Sequence, residues 1–208
     1  MALTVAFQAL GLAILTSTLT HLFTRPRKHH QPRTIYTGPL QYLTTTSMLL
    51  CTLHTTLSLL HAAHPTTTLD ALTRAARLPA TPLSLTIALS YWPSYALHPT
   101  LLARRPLPPL ALDLAQHALP AALALADAGA RPPRADLLLG TARVVVLFGA
   151  AMALYAAWVE RCAAKTGVWA YPLLGGVPGG VVGRGVLWAG LAGVMVGLRG
   201  VVVRALVV

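Results

Sequence analysis

The chain has 208 residues, of which 55% are hydrophobic and only 10% charged. A soluble domain carries about a quarter charged residues, so the composition excludes an ordinary water-soluble fold and points to an integral membrane protein. The formal charge of +11 does not imply nucleic acid as a partner: the Lys and Arg residues lie mostly between long apolar runs, not in a basic stripe interleaved with aromatics.

A membrane-crossing helix needs about 20 mostly apolar residues. Six segments are predicted to meet that need: 2–23, 40–63, 82–103, 107–128, 137–159 and 186–208. The expected fold class is therefore all-α, a polytopic transmembrane helical bundle in one membrane domain, 1–208, with the lipid bilayer as its surroundings. The first segment lacks a basic leading region and runs too long for a cleaved signal, so it is expected to remain as a helix. The link after it, TRPRKHHQPRTIYTG, is polar and basic, and its His29 and His30 read as headgroup contacts. HPTTTLDALTRAARLPAT, RRP, GARPPRAD and RCAAKTGVWAYPLLGGVPGGVVGRG supply the later links. RRP is so short that the third and fourth spans should be antiparallel neighbours. Loop charge favours odd-numbered links in the cytosol, although Arg199 and Arg204 near the end of the sixth span argue the other way. Cys51 and Cys162 form no CxxC or other framework, so neither a disulfide nor zinc is implied. No metal and no cofactor are expected.

The polar groups at membrane depth carry whatever chemistry the chain has. In DLAQHALP (113–120), Asp113 and His117 are four residues apart and share one helix face. An imidazole this deep is tolerable only when neutral, and its nitrogens want partners. It can serve an interhelical hydrogen bond, a general base oriented by Asp113, or a proton relay in a transporter. Pro120 is expected to weaken the helix beside it. Thr44, Thr45, Thr46 and Ser47 open the second span, and a threonine there ordinarily bonds its own i−4 carbonyl. It becomes a nucleophile only with a base in reach. His54, His61 and His64 fall roughly on one side of the same span and read as a polar stripe or interface more readily than a metal site. Gly193 and Gly197 form a GxxxG, a close-packing signal. HExxH, GxSxG and phosphate-loop signatures are absent.

GPLQYLT (38–44), YW (91–92), DLAQHALP (113–120) and WVERCAAKTGVWAYPLL (158–174) occur in that order. In these the sequence resembles the androgen-induced gene one family of small multispanning proteins, with Thr166 to Pro172 the most specific element. Characterised members split fatty acid esters of hydroxy fatty acids within the membrane, using a threonine and a histidine. The resemblance carries the nucleophile to Thr44, with Thr45 as a one-residue alternative, and the base to His117. Asp113, where the family has asparagine, becomes a possible orienter, and the proline stands closer to the histidine than in the family. The implied partner is a membrane lipid substrate, and the implied location is the endomembrane system, endoplasmic reticulum or plasma membrane. Trp169 and Tyr171 are expected to anchor at the interface, with Pro172 ending that segment. A non-catalytic lipid-binding or regulatory membrane protein is the competing expectation.

Overall fold

The computed structural model describes residues 2–24, 38–97, 109–130 and 140–207, and within them every regular element is helical. In chain order these are α1 (Ala2–Thr24), a 3₁₀ turn (Gly38–Gln41), α2 (Leu43–Ala63), α3 (Thr67–Leu97), α4 (Leu110–His117), α5 (Leu119–Ala130), α6 (Thr141–Thr166), the single turn α7 (Pro172–Gly175) and α8 (Gly180–Val207). Four of them, α1, α2, α6 and α8, are each long and apolar enough to cross a membrane. The exterior is correspondingly apolar: Leu3, Val146, Leu154 and Val182 are each at least 70% exposed. Polar side chains lie inside instead, among them Gln8, Ser47, His54, Ser58, Asp113 and Asp127. That inversion is what a bilayer imposes, because lipid solvates leucine well and a carboxylate badly.

The bundle is organised around α2. On one side Leu43 joins Leu83 and Ile87 of α3, Phe148 and Met152 of α6, and Trp188 of α8. On another side Met48 and Cys51 meet Leu15 and Leu19 of α1 and Leu123 of α5. Gly11 permits that approach: a Cβ there would fall 2.4 Å from Leu123 Cδ2.

Several boundaries differ from the sequence expectation, for identifiable reasons. The third helix starts at Thr67, not at 82, and takes in most of the stretch read as a link. Thr66 Oγ1 accepts the Leu69 N–H at 3.2 Å, Asp70 lies in the first turn, and Arg74 pairs with Asp70 at 2.8 Å. A capped, salt-bridged first turn followed by Ala and Leu is sufficient to begin a helix. Pro79, Pro82 and Pro93 lie inside it. The expected fourth span is two helices, interrupted at Ala118. The fifth continues to Thr166, where Gly167 at φ 69° closes it in a left-handed cap. The last begins at Gly180, and Arg184, read as part of a link, lies inside it, bonded through two nitrogens to Glu160. The basic link with His29 and His30, Arg104 and Arg105, and Arg131 and Arg134 lie outside the described residues.

A buried polar cluster joins four helices. Asp127 Oδ1 accepts hydrogen bonds from Gln8 Nε2 of α1 at 2.8 Å and Ser58 Oγ of α2 at 2.6 Å. Its Oδ2 lies 3.1 Å from His54 Nε2 of α2 and 3.6 Å from an Arg77 guanidinium nitrogen of α3. Neither His54 nitrogen makes a hydrogen bond, although Nε2 faces the carboxylate. A charge this deep persists when opposite charge and donors surround it. The histidines of α2 thus separate: His54 belongs to this cluster, His61 lies 4.0 Å from Asp70, and His64 caps the helix at its exposed end.

Candidate functional site

α4 starts at Leu110 behind Pro109, which brings Asp113 and His117 onto one buried face. His117 is the last residue of the helix. Its Nδ1 lies 2.9 Å from Asp113 Oδ1 and 3.1 Å from the Asp113 carbonyl oxygen. Both neighbours are acceptors, so Nδ1 carries the proton and Nε2 the lone pair. Among the described residues Nε2 has no hydrogen-bond partner, and the side chain keeps 10% exposure. The break follows at once: the chain turns at Ala118 and resumes as α5 with Pro120 in its first turn. A proline costs little there because the first-turn N–H groups lack helical partners anyway. Pro120 therefore helps start a new helix, and the interruption falls directly beyond the imidazole.

Tyr91 of α3 completes the group. Its hydroxyl donates to Asp113 Oδ1 at 2.6 Å, and its ring lies parallel to the His117 ring with centroids 3.5 Å apart. Tyr95 stacks on the far side of Tyr91, with centroids 5.6 Å apart. YW was visible in the sequence as a family element, but nothing in it pointed to a hydrogen bond with a carboxylate 22 residues later.

A repeating register relates α2 to α5. Cys51 Sγ contacts the Pro120 carbonyl oxygen at 3.5 Å, and Ser58 Oγ bonds Asp127, each pair being 69 residues apart in the chain. Residues 44, 51 and 58 are spaced by seven, so they lie on one stripe of α2. Thr44 lies on that stripe one heptad before Cys51. Thr45 is rotated by about 100° from that stripe and is only 3% exposed. Asp113 and His117 are in direct contact, whereas Thr44 is not bonded to the ring.

The remaining hydroxyls of TTTS are used locally. Thr46 Oγ1 faces the Tyr42 carbonyl oxygen at 3.5 Å, and Ser47 bonds Ser84 of α3 at 3.0 Å. Thr44 shares a hydrogen bond with the Tyr171 hydroxyl, whose oxygen also accepts the Leu43 N–H at 2.9 Å. Tyr171 accordingly closes the start of α2, where Tyr42 supplies no side-chain cap. Burial pushes the Tyr171 phenol up, and the neighbouring donors only partly offset this, so it stays protonated through the working pH range. Trp169 lies beneath Arg184, 4.2 Å from the ring centroid. Pro172 opens the turn α7 and does not end its segment. Gly193 and Gly197 are exposed on α8, with open space where a Cβ would stand.

These features define a helical integral membrane protein with ionisable groups inside its bundle. The chain belongs to the FAR-17a/AIG1-like protein family, whose model matches residues 3–203. No curated protein and no solved structure matches it.

Proposed function

We propose that this protein is an intramembrane hydrolase of lipid esters, with fatty acid esters of hydroxy fatty acids as the substrate class, acting in the endomembrane system. The observation that carries the reading is the bonding of His117: Nδ1 is committed to Asp113, which leaves Nε2 as the nitrogen able to take a proton, and extending the α2–α5 register of Cys51 and Ser58 by one heptad toward α4 supports Thr44 as the residue that gives it. Thr44 Oγ–H turns from Tyr171 and gives its proton to Nε2 as the oxygen attacks the ester carbonyl carbon. The tetrahedral intermediate collapses, Nε2–H protonates the departing alkoxide, and a hydroxy fatty acid leaves. Water then attacks the acyl-threonine while Nε2 takes its proton, and the acid and Thr44 are released. Asp113 holds the ring in the required tautomer and stabilises the imidazolium. A substrate dissolved in lipid reaches such a site without leaving hydrocarbon.

The test is hydrolysis of such an ester by the full chain in phospholipid vesicles. Thr44→Ala is expected to lose activity by about 10³-fold or more while Thr45→Ala stays within a few-fold of the parent. Undiminished hydrolysis by Thr44→Ala excludes the mechanism and leaves a lipid-binding membrane protein.

A further inference from the structure

The family resemblance and the proposed reaction assign no role to Tyr91, yet it holds both Asp113 and His117. We infer that Tyr91 is a positioning residue for the histidine base, an inference that rests on the hydrolase reading above. Its hydroxyl donates to Asp113 Oδ1 at 2.6 Å, the same oxygen that takes the His117 Nδ1 at 2.9 Å. That oxygen is therefore fixed from two sides, by α3 and by its own helix. The ring meanwhile lies flat on the imidazole at 3.5 Å with an interplanar angle of 1°. One residue thus sets the direction of the carboxylate and the plane of the base.

The two contacts act differently on the imidazolium formed when the base takes a proton. An electron-rich ring face beneath a cation stabilises it. A donor on the carboxylate spreads the negative charge that would otherwise face the ring, which opposes protonation. Tyr91 thus keeps the ring oriented without letting Asp113 make it so basic that it is already protonated at working pH. Around His117 the titratable groups are Asp113 on α4, Tyr91 and Tyr95 on α3, and Cys51 of α2 at the Pro120 carbonyl. The donor that Tyr91→Phe removes is bonded to Asp113, so the change is read through that carboxyl group.

Tyr91→Phe keeps the ring and removes the donor, and Tyr91→Leu removes both. The readout that needs no activity is the side-chain NMR titration of selectively labelled His117 in detergent-solubilised full-length protein. In Tyr91→Phe its midpoint should rise by about half a pH unit or more, with the Nδ1–H tautomer retained. The acid limb of kcat/KM should move upward by the same amount. Tyr91→Leu should lower kcat about tenfold or more with KM little changed, because the ring is no longer held in plane. A His117 titration unchanged in Tyr91→Phe, or a loss in Tyr91→Leu that resides in KM, overturns the inference even if hydrolysis is established. Conversely, a shifted titration in a protein that hydrolyses no ester supports the positioning contact and removes the reaction it was meant to serve.

Discussion

Replacing His117 by alanine is expected to reduce ester hydrolysis by about 10²–10⁴-fold in kcat, with KM nearly unchanged. The loss falls in kcat because the imidazole touches the reacting proton and contributes little to holding an acyl chain. Asp113→Ala should also lower kcat, for a different reason: it removes the acceptor that holds the Nδ1 proton and the charge that stabilises the imidazolium. Asp113→Asn, which installs the residue that the family resemblance has there, should cost much less, because its carbonyl oxygen can still accept from Nδ1. The two positions separate in their pH profiles: Asp113→Ala should retain a residual profile displaced to lower pH, and His117→Ala should have no acid limb from this group. Steady-state kinetics from pH 5 to 9 in vesicles tests both. If His117→Ala keeps parental kcat, the ring is a packing group and not a base.

Asp127→Ala is expected to produce the largest loss of stability, about 3–5 kcal/mol. The carboxylate is 1% exposed and draws together Gln8, Ser58, His54 and Arg77 from α1, α2 and α3. Deleting it removes the acceptor shared by Gln8 and Ser58 and the carboxylate facing the Arg77 guanidinium, and the loss of these buried contacts accounts for the cost. Asp127→Asn, which keeps the shape and one acceptor, should lose roughly half as much. Thermal unfolding in detergent reads the difference, with Thr44→Ala as a variant expected to leave Tm within about a degree or two. An Asp127→Ala protein as stable as the parent would show that the cluster is incidental to assembly.

What the sequence made legible follows the range of the interactions involved. Apolar run length identifies α1, α2, α6 and α8 because solvation by lipid depends on local composition. The Asp113–His117 contact is equally local, an i,i+4 pair whose geometry any helix supplies. The start of α3 was missed because LDALTRAARL reads as polar, although its first turn is capped by Thr66 and paired through Asp70 and Arg74. Pro120 invited a kink where the chain instead ends one helix and begins another. The rest is non-local. Asp127 stands in a plain alanine-rich segment, and its partners lie 50 to 119 residues away in the chain. The choice of Thr44 over Thr45 rests on the family resemblance. Tyr91 showed no role because its partner belongs to another helix.

α2 and α4–α5 run parallel, and α3 runs antiparallel to α2, as the Ser47–Ser84 contact and the meeting of His54 and Arg77 at Asp127 require. Tyr91 and Asp113 then lie toward the same end of the bundle as Thr44. The Asp127 cluster lies about 15 Å farther along from His117, ten residues at 1.5 Å each. Site and clasp are therefore separate along the bundle, and a variant in one is not expected to report on the other.

The most direct measurement is capture of the acyl-enzyme. Full-length protein in vesicles, mixed with a fatty acid ester of a hydroxy fatty acid and quenched in acid within the first turnover, should yield a peptide carrying the acyl mass on Thr44. That adduct should be absent from Thr44→Ala and should not form in His117→Ala. An acyl group on Thr45 or any other residue, or steady hydrolysis with Thr44 unmodified at every time sampled, would contradict the account.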